Sequence, residues 1–205
     1  AMLVHCCSWG DVGKVLHDKF VPQIPRLRKK EVLKWIGYGY PNPEISSFCT
    51  DQRVTLVGYG ELPNGMQSEF NFPLPSCLIS KAVSKRLTIT LAWLSPIASC
   101  NQDYRLAKLS FRTKSSLIAK DISDSDERAA KRGTVQHEVF VGKQASTYLS
   151  GTNLEIVVSC KKEDRLTYPV KYVLMATLEV SPEVSLPIYE EIKSSLAQQV
   201  EPLKV

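Results

Sequence analysis

The sequence contains few of the residues from which most enzymes build their sites. Its 205 residues include three histidines, His5, His17 and His137, so a histidine-based mechanism has few ways to be assembled. The six cysteines form no Cys-x-x-Cys pair, and no histidine lies at zinc-ligand spacing from them. We therefore expect no metal or cofactor site. The adjacent Cys6 and Cys7 cannot easily form a disulfide with each other, and we expect the other cysteines to be small buried residues in the reducing cytoplasm.

Long apolar runs and a strong charge bias are also absent. The longest apolar stretches, residues 87–93 and 170–178, fall well short of the roughly 18 residues that a membrane helix needs. The formal net charge of +5 is small for this length, and the basic run at 26–30 is typical of the solvated start of a helix. No secretory signal is recognisable at the N-terminus. These features predict a cytoplasmic protein without a nucleic-acid or membrane partner.

No catalytic or phosphate-binding motif can be recognised. The sequence has no Gly-x-Ser-x-Gly elbow and no glycine-rich dinucleotide fingerprint. Glu190 and Glu191 are adjacent, and adjacent helical residues point about 100 degrees apart, so they cannot share a proton. The acidic segment 121–127 lacks the glycine and terminal glutamate of an EF-hand loop, which leaves calcium binding there open. The residues alone predict no catalytic residue.

The periodicity of apolar residues changes along the chain. Residues 1–48 have the spacing of short helices, with Val32, Leu33 and Ile36 three to four residues apart. From about residue 51 the apolar period is two, as in antiparallel strands. Seven strands are predicted, at residues 53–57, 67–72, 86–93, 105–112, 134–141, 153–160 and 170–180.

Seven short strands separated by turn residues indicate a mainly β fold, an antiparallel β-sandwich or jelly roll. The charged segment 115–132 interrupts the strands and is expected to be a loop or short helix. A final helix is predicted at 188–200, because Pro187 precedes it and Glu190 and Glu191 lie where the helix dipole favours acids. His5 is expected in the core. His137 is expected at the surface, on the strand face opposite Val135 and Val139.

Two motifs in the first 48 residues resemble the end of the catalytic domain of subtilisin-like serine proteases. Residues 1–9, Ala-Met-Leu-Val-His-Cys-Cys-Ser-Trp, resemble the helix that follows the catalytic-serine helix, commonly written Ala-Leu-Leu-Val-His-Ser-Ala. Residues 36–42, Ile-Gly-Tyr-Gly-Tyr-Pro-Asn, resemble the Gly-x-Gly-x-x-Asn stretch that closes that domain. The resemblance implies that residues 1–48 are the helical end of a subtilase domain.

The rest of the chain is similar to the accessory sandwich of a bacterial subtilase group that is often encoded beside an AAA-type ATPase and linked to phage defence. The similarity lies in residues 86–97, 133–138, 176–180 and 188–192. It implies that residues 49–205 are a β-sandwich accessory domain that supports the protease domain and presents a surface to a substrate or another protein. It also implies two partners, the upstream subtilase domain and the ATPase.

The resemblance implies a missing active site as well. In subtilases the aspartate, histidine and serine of the triad and the oxyanion-hole asparagine precede the helix with which this sequence begins, so no catalytic residue is carried over. Peptide hydrolysis without a nucleophile and oxyanion donors is not expected. If translation starts at Met2, the product is a truncated or split protease. Residues 1–48 should then expose apolar side chains, and we expect them to be loosely ordered, repacked on the sandwich or used in self-association; these side chains are Leu3, Val4, Trp9, Val32, Leu33, Trp35 and Ile36.

Two other functions stay open. A free-standing carbohydrate- or protein-binding sandwich would use exposed aromatic residues, and the candidates are Tyr59, Tyr104 and Tyr148, although packing within the strands is the favoured interpretation of each. A small autonomous protease would need an unrecognised triad built on His5, His17 or His137.

Overall fold

The computed structural model describes residues 1–20, 25–44, 48–98, 104–113, 133–142, 152–181 and 185–199, with the backbone alone for 25–30 and 197–199. The chain divides into two compact units. One unit is Met2–Phe48, and the other is Cys49–Val205 together with Ala1.

The first unit consists of short helices and a two-stranded ribbon. Helix α1 is Met2–His5, α2 is Gly10–Lys19 and α3 is Pro25–Ile36. Strand β1, Cys7–Ser8, pairs antiparallel with β2, Tyr40–Pro41. Helix α3 begins with proline, which has no N–H, so the first turn has one donor fewer without an intrahelical partner.

The second unit contains seven strands, one 3-10 turn and one helix. The strands are β3 Arg53–Leu62, β4 Gln67–Pro73, β5 Lys85–Trp93, β6 Leu109–Thr113, β7 Val135–Gly142, β8 Asn153–Cys160 and β9 Val170–Val180. The 3-10 turn is Ser76–Leu78, and the helix, α4, is Ile188–Gln199.

The seven strands form two antiparallel sheets that pack on one core, so the second unit is a β-sandwich. The first sheet has the order β3-β9-β5-β7, and the second has the order β4-β8-β6. Alternate residues of each strand point inward, and both sheets contribute to one continuous hydrophobic cluster. Phe70 of the second sheet meets Tyr172 of the first edge to face, with 6.1 Å between ring centroids.

Two strand boundaries differ from the sequence-based prediction. Strand β3 does not end at residue 57 but continues through Gly58 to Leu62. The position of Gly58 requires a glycine. A Cβ on Gly58 would lie 2.4 Å from the Phe70 ring, which occupies that space. The strand predicted at 105–112 begins only at Leu109, and Arg105 forms an isolated bridge with Ile97.

Side chains fasten the open ends of the sandwich. The Asn64 amide nitrogen donates to the carbonyl oxygens of Glu163 and Leu166 at 2.7 and 3.0 Å, and its oxygen accepts from the Glu163 N–H. On β7, the Gln136 side chain accepts from the Phe111 N–H at 2.8 Å and donates to the Phe111 carbonyl at 3.2 Å. Gln136 thereby joins the edge of one sheet to the edge of the other.

Glu191 fastens the start of α4. Its carboxylate accepts hydrogen bonds from the Ser76 hydroxyl at 2.9 Å and the Cys77 N–H at 3.1 Å. Ile188 and Ile192 of α4 are buried in the core of the sandwich. The predicted helix is therefore present, and Glu191 binds the 3-10 turn.

Among the described residues, no helix is long and apolar enough to cross a membrane. The segments expected as a loop at 115–132, including the acidic residues 121–127, lie outside the described residues.

The burial of Leu154 predicts the effect of shortening it. Leu154 is fully buried between the sheets, whereas Leu94 is 74% exposed. Leu154→Ala should lower the free energy of unfolding by about 2–5 kcal/mol in urea titrations, because it leaves a cavity in the core. The matched substitution Leu94→Ala should change it by less than about 0.5 kcal/mol. Equal effects of the two substitutions would contradict the position of this core.

Candidate functional site

The ribbon of the first unit brings two distant segments of the sequence together. Cys7 pairs with Pro41, and Ser8 pairs with Tyr40. The Trp9 indole N–H donates to the Gly37 carbonyl at 2.9 Å. The segments 1–9 and 36–42, which resemble two neighbouring motifs of subtilases, therefore lie side by side.

Gly39 makes the close approach of these segments possible. Its φ is +93°, a value that residues with a side chain rarely adopt. A Cβ at this position would lie 2.2 Å from the Ser8 carbonyl oxygen. Glycine is therefore required here both by the backbone angle and by the space next to β1.

The first unit buries few side chains. Where its side chains are described, the buried residues are His5, Cys6, Gly13 and Val32. Leu3 is 72% exposed and Trp35 is 67% exposed, as predicted. Val32 was also predicted to be exposed, but it is buried. Val4, Trp9, Leu33 and Ile36 are half-buried. Other exposed apolar residues of the unit are Met2, Val12, Val15, Tyr40 and Phe48.

Two of the three histidines lie in this unit. His5 is 3% exposed, which agrees with the prediction of a core histidine. His17 is accessible on α2, and its Nδ1 lies 3.9 Å from a carboxylate oxygen of the next residue, Asp18. The third histidine, His137, belongs to the other unit.

The strand face predicted for His137 is wrong, and its side chain is half-buried. It shares a face of β7 with Val135 and Val139, because residues two apart in a strand point the same way. Its Nδ1 lies 2.7 Å from the hydroxyl of Thr90, its partner on β5, and Thr90 is fully buried. Burial, and secondarily the nearby Arg86, lowers the pKa of His137 to about 4. His137 is therefore neutral at pH 7.

The cysteines are free thiols wherever the structure describes them. Cys160 is buried, as predicted, whereas Cys77 is half-buried and Cys49 is exposed, which corrects the prediction for both; Cys6 is buried as well. Burial, and then the Glu191 charge, raises the pKa of the Cys77 thiol to about 11, so it is not a nucleophile at neutral pH. Within the described ranges, no group of three or more His, Cys, Asp or Glu residues could hold a metal ion.

The tyrosines considered for carbohydrate binding are not packed within the strands. Tyr59 is 82% exposed and Tyr104 is 56% exposed, which corrects the favoured interpretation of both. Tyr148 lies outside the described residues. Tyr59 shares the outer face of the first sheet with two other exposed residues, Val57 and Leu94.

Comparisons with known proteins assign no family. No family model matches the chain. Over 86 residues it is 29% identical to the uncharacterized protein y4bN of Sinorhizobium fredii. The matched region covers 42% of this chain and 20% of that relative. The chain therefore spans about a fifth of the length of the curated relative it matches.

Solved structures with some similarity come from bacteriophage capsids. A chain of the cyanophage Pam1 capsid has a TM-score of 0.34 at 14% identity, covering 67% of this chain and 91% of that chain. A chain of the Helicobacter pylori bacteriophage KHP30 capsid has a TM-score of 0.26 at 13% identity, covering 63% and 94%. Scores this low do not establish a common fold.

The sequence did not reveal Gln136 and Asn64 as residues that join separate parts of the sandwich. Each bonds to backbone groups far along the chain, so local spacing carries no sign of the contact. The Asn64-Gly65 pair does mark a turn in the sequence, and Gly65 has a φ of +73° there.

The low pKa of His137 predicts a pH dependence of stability. Between about pH 6.5 and about pH 4, His137 is protonated in the unfolded chain but stays neutral in the folded protein. The free energy of unfolding therefore falls as the pH falls. The loss reaches about 3 kcal/mol and is constant well below pH 4. His137→Gln should remove this slope in denaturant titrations at several pH values, whereas His17→Gln should keep it. A slope that survives His137→Gln would contradict the assignment.

Proposed function

We propose that the chain is a non-catalytic C-terminal module of a subtilisin-like serine endopeptidase. Its β-sandwich, an accessory domain of the jelly-roll type, supports a separate protease domain and presents a surface to a substrate or another protein. The main support is an imbalance among the described side chains of the first unit, more of whose large apolar residues are exposed than buried.

The small core of the first unit indicates that a partner completes it. A segment of this size with so few buried side chains gains too little hydrophobic stabilisation to offset the entropy of ordering its chain. The exposed surface includes Leu3, Val15 and Trp35, which are apolar and at least two-thirds exposed. Such a surface is typical of a site that another protein covers.

The ribbon is consistent with the subtilase interpretation. The two segments that resemble subtilase motifs are adjacent in the structure, and Gly39 occupies a position that only glycine tolerates. The free cysteines accord with a reducing cytoplasm, in which an AAA-type ATPase encoded nearby would be a further partner.

The partner can be tested directly. The genomic sequence upstream of this chain should encode a subtilase domain with a Gly-Thr-Ser motif, and that domain, expressed separately, should bind the full chain. Trp35→Glu should weaken this binding by about 100-fold in titration calorimetry, because a buried interface tryptophan is replaced by a charge. Peptide hydrolysis should require the upstream domain.

The control is Tyr168→Glu, which replaces an aromatic residue of the second unit with similar exposure, 72%. It should bind as the unmodified chain does. A fluorophosphonate probe should not label the chain alone. Stoichiometric labelling, or an upstream frame without protease motifs, would refute the proposal.

A free-standing binding module is the second candidate, favoured by the exposure of Tyr59 and Tyr104. Exposed aromatic rings on a sandwich can stack against sugar rings. This function requires neither a protease domain nor a catalytic residue.

For this candidate, the full chain should bind at least one saccharide on a glycan array, and that saccharide should raise the melting temperature. Tyr59→Ala should abolish the shift because the stacking ring is lost, whereas Tyr40→Ala, which removes an exposed ring from the first unit, should not. An array without response would exclude carbohydrate binding.

A further inference from the structure

Strand β3 is the edge of the first sheet, and it pairs with β9 on one side only. The Gln52 carbonyl, just before β3, accepts from the Val180 N–H, so the even-numbered residues of β3 exchange their backbone hydrogen bonds with β9. The N–H and carbonyl groups of the odd-numbered residues therefore point to the other side of the strand, which we call the open side. These residues are Arg53, Thr55, Val57, Tyr59 and Glu61.

The chain itself occupies the beginning of the open side. The Arg53 N–H donates to the Thr50 carbonyl at 3.0 Å, and the Arg53 carbonyl accepts from the Thr50 N–H at 2.9 Å. Two residues earlier, the Asp51 carbonyl accepts from the N–H groups of Ile188 and Tyr189 at the start of α4. Contacts of this kind keep an edge strand from pairing with another chain. They end at Arg53.

Beyond Arg53, the open-side backbone groups have no partner within the part of the chain that the structure describes; the residues are Thr55, Val57, Tyr59 and Glu61. Two of their side chains are engaged with β9. The Thr55 hydroxyl lies 2.7 Å from the Thr177 hydroxyl, and the Glu61 carboxylate lies 3.7 Å from Lys171 Nζ. These contacts belong to side chains, so they do not satisfy the N–H and carbonyl groups on the open side.

The unpaired stretch, residues 55–61, is bounded at both ends. The bonds between Thr50 and Arg53 close one end. At the other end, Pro63 has the next open-side position, and proline has no N–H to donate. Between these limits β3 pairs with β9 without a bulge and contains no proline. The stretch is roughly 20 Å long, which is the length of a short extended peptide.

The side chains beside this stretch are apolar and accessible. On the outer face of the sheet, Val57 is 57% exposed and Tyr59 is 82% exposed. On the inner face, Gly58 and Gly60 have no side chain that could block an approaching strand. A strand added to β3 would place every second side chain next to Val57 or Tyr59. Cross-strand pairs of aromatic and β-branched residues are stabilising.

We propose that the open side of β3, at residues 55–61, binds an extended segment of another polypeptide as an added antiparallel strand. Unpaired N–H and carbonyl groups at this spacing are complementary to an extended peptide backbone. Val57 and Tyr59 select aromatic or β-branched side chains at alternate positions of that segment. The inference rests on the proposed function, in which the sandwich presents a surface to a substrate or another protein, and it assigns that surface to β3.

A separate peptide fits this edge better than a second copy of the chain. Two β3 strands would need free charges to set their register, but Glu61 is paired with Lys171 and the open-side backbone groups of Arg53 are bonded to Thr50. Self-pairing would therefore gain backbone hydrogen bonds without a side-chain contact that selects the partner. A peptide contributes side chains of its own, which those of Val57 and Tyr59 can select.

The first test uses a defined peptide, Thr-Ser-Val-Ser-Tyr-Ser-Thr, with blocked termini and a fluorescein label. In antiparallel register its valine lies opposite Tyr59 and its tyrosine lies opposite Val57. The peptide should bind the full chain saturably in fluorescence polarisation, with a dissociation constant below about 1 mM. N-Methylation of its valine and tyrosine, whose N–H groups face β3, should weaken binding at least tenfold. N-Methylation of its last two serines, whose N–H groups face away, should not.

The second test changes the edge itself. Val57→Pro removes an open-side N–H that forms no bond to β9, so the sheet should tolerate it as edge strands tolerate proline. It should weaken binding of the peptide at least tenfold. The matched control, Val57→Ala, shortens the same side chain but keeps the N–H, and it should weaken binding by less than about threefold. Circular dichroism should show that both variants fold; if Val57→Pro does not, the methylated peptides still decide on the unmodified chain.

Three results would overturn the inference. The first is no saturable binding up to about 1 mM peptide, and the second is equal affinity of the two methylated peptides. The third is a dimer in analytical ultracentrifugation that Val57→Pro dissociates, because a second copy would then occupy the edge. The proposed function fails separately, since an upstream frame without protease motifs would refute it with peptide binding to β3 intact. A protease domain that binds through Trp35, beside a β3 that binds no peptide, would refute this inference alone.

Discussion

The position of β9 between β3 and β5 is the constraint on which the sandwich depends. Its inward residues meet the other sheet along eleven residues of strand, and its backbone pairs on both sides without interruption. Shifting β9 by one residue would turn residues such as Leu174 and Leu178 away from the core, so burial fixes the register of three strands at once. That fixed register determines which side chains of β3 face outward.

The two units differ in how much of their apolar surface they bury. In the second unit, large residues from both sheets and α4 form one continuous core. In the first unit, a hydrogen bond from the Trp9 indole N–H to the Gly37 carbonyl holds the ribbon, while the side chains of Leu3 and Trp35 are exposed. Under the proposed function, a protease domain would cover these exposed side chains.

Periodicity predicted the sandwich because a half-buried strand alternates apolar and polar residues whatever lies around it. It failed where a contact between distant residues decides the outcome. Gly58 ends an alternating pattern in the sequence, yet β3 continues through it. The Phe70 ring occupies the space that a side chain at position 58 would need. The sequence placed His137 on the wrong face of its strand, where it is half-buried against Thr90, and Gln136 owes its role to a strand of the other sheet. The exposure of Tyr59 and Tyr104 likewise depends on what packs nearby, which spacing does not encode.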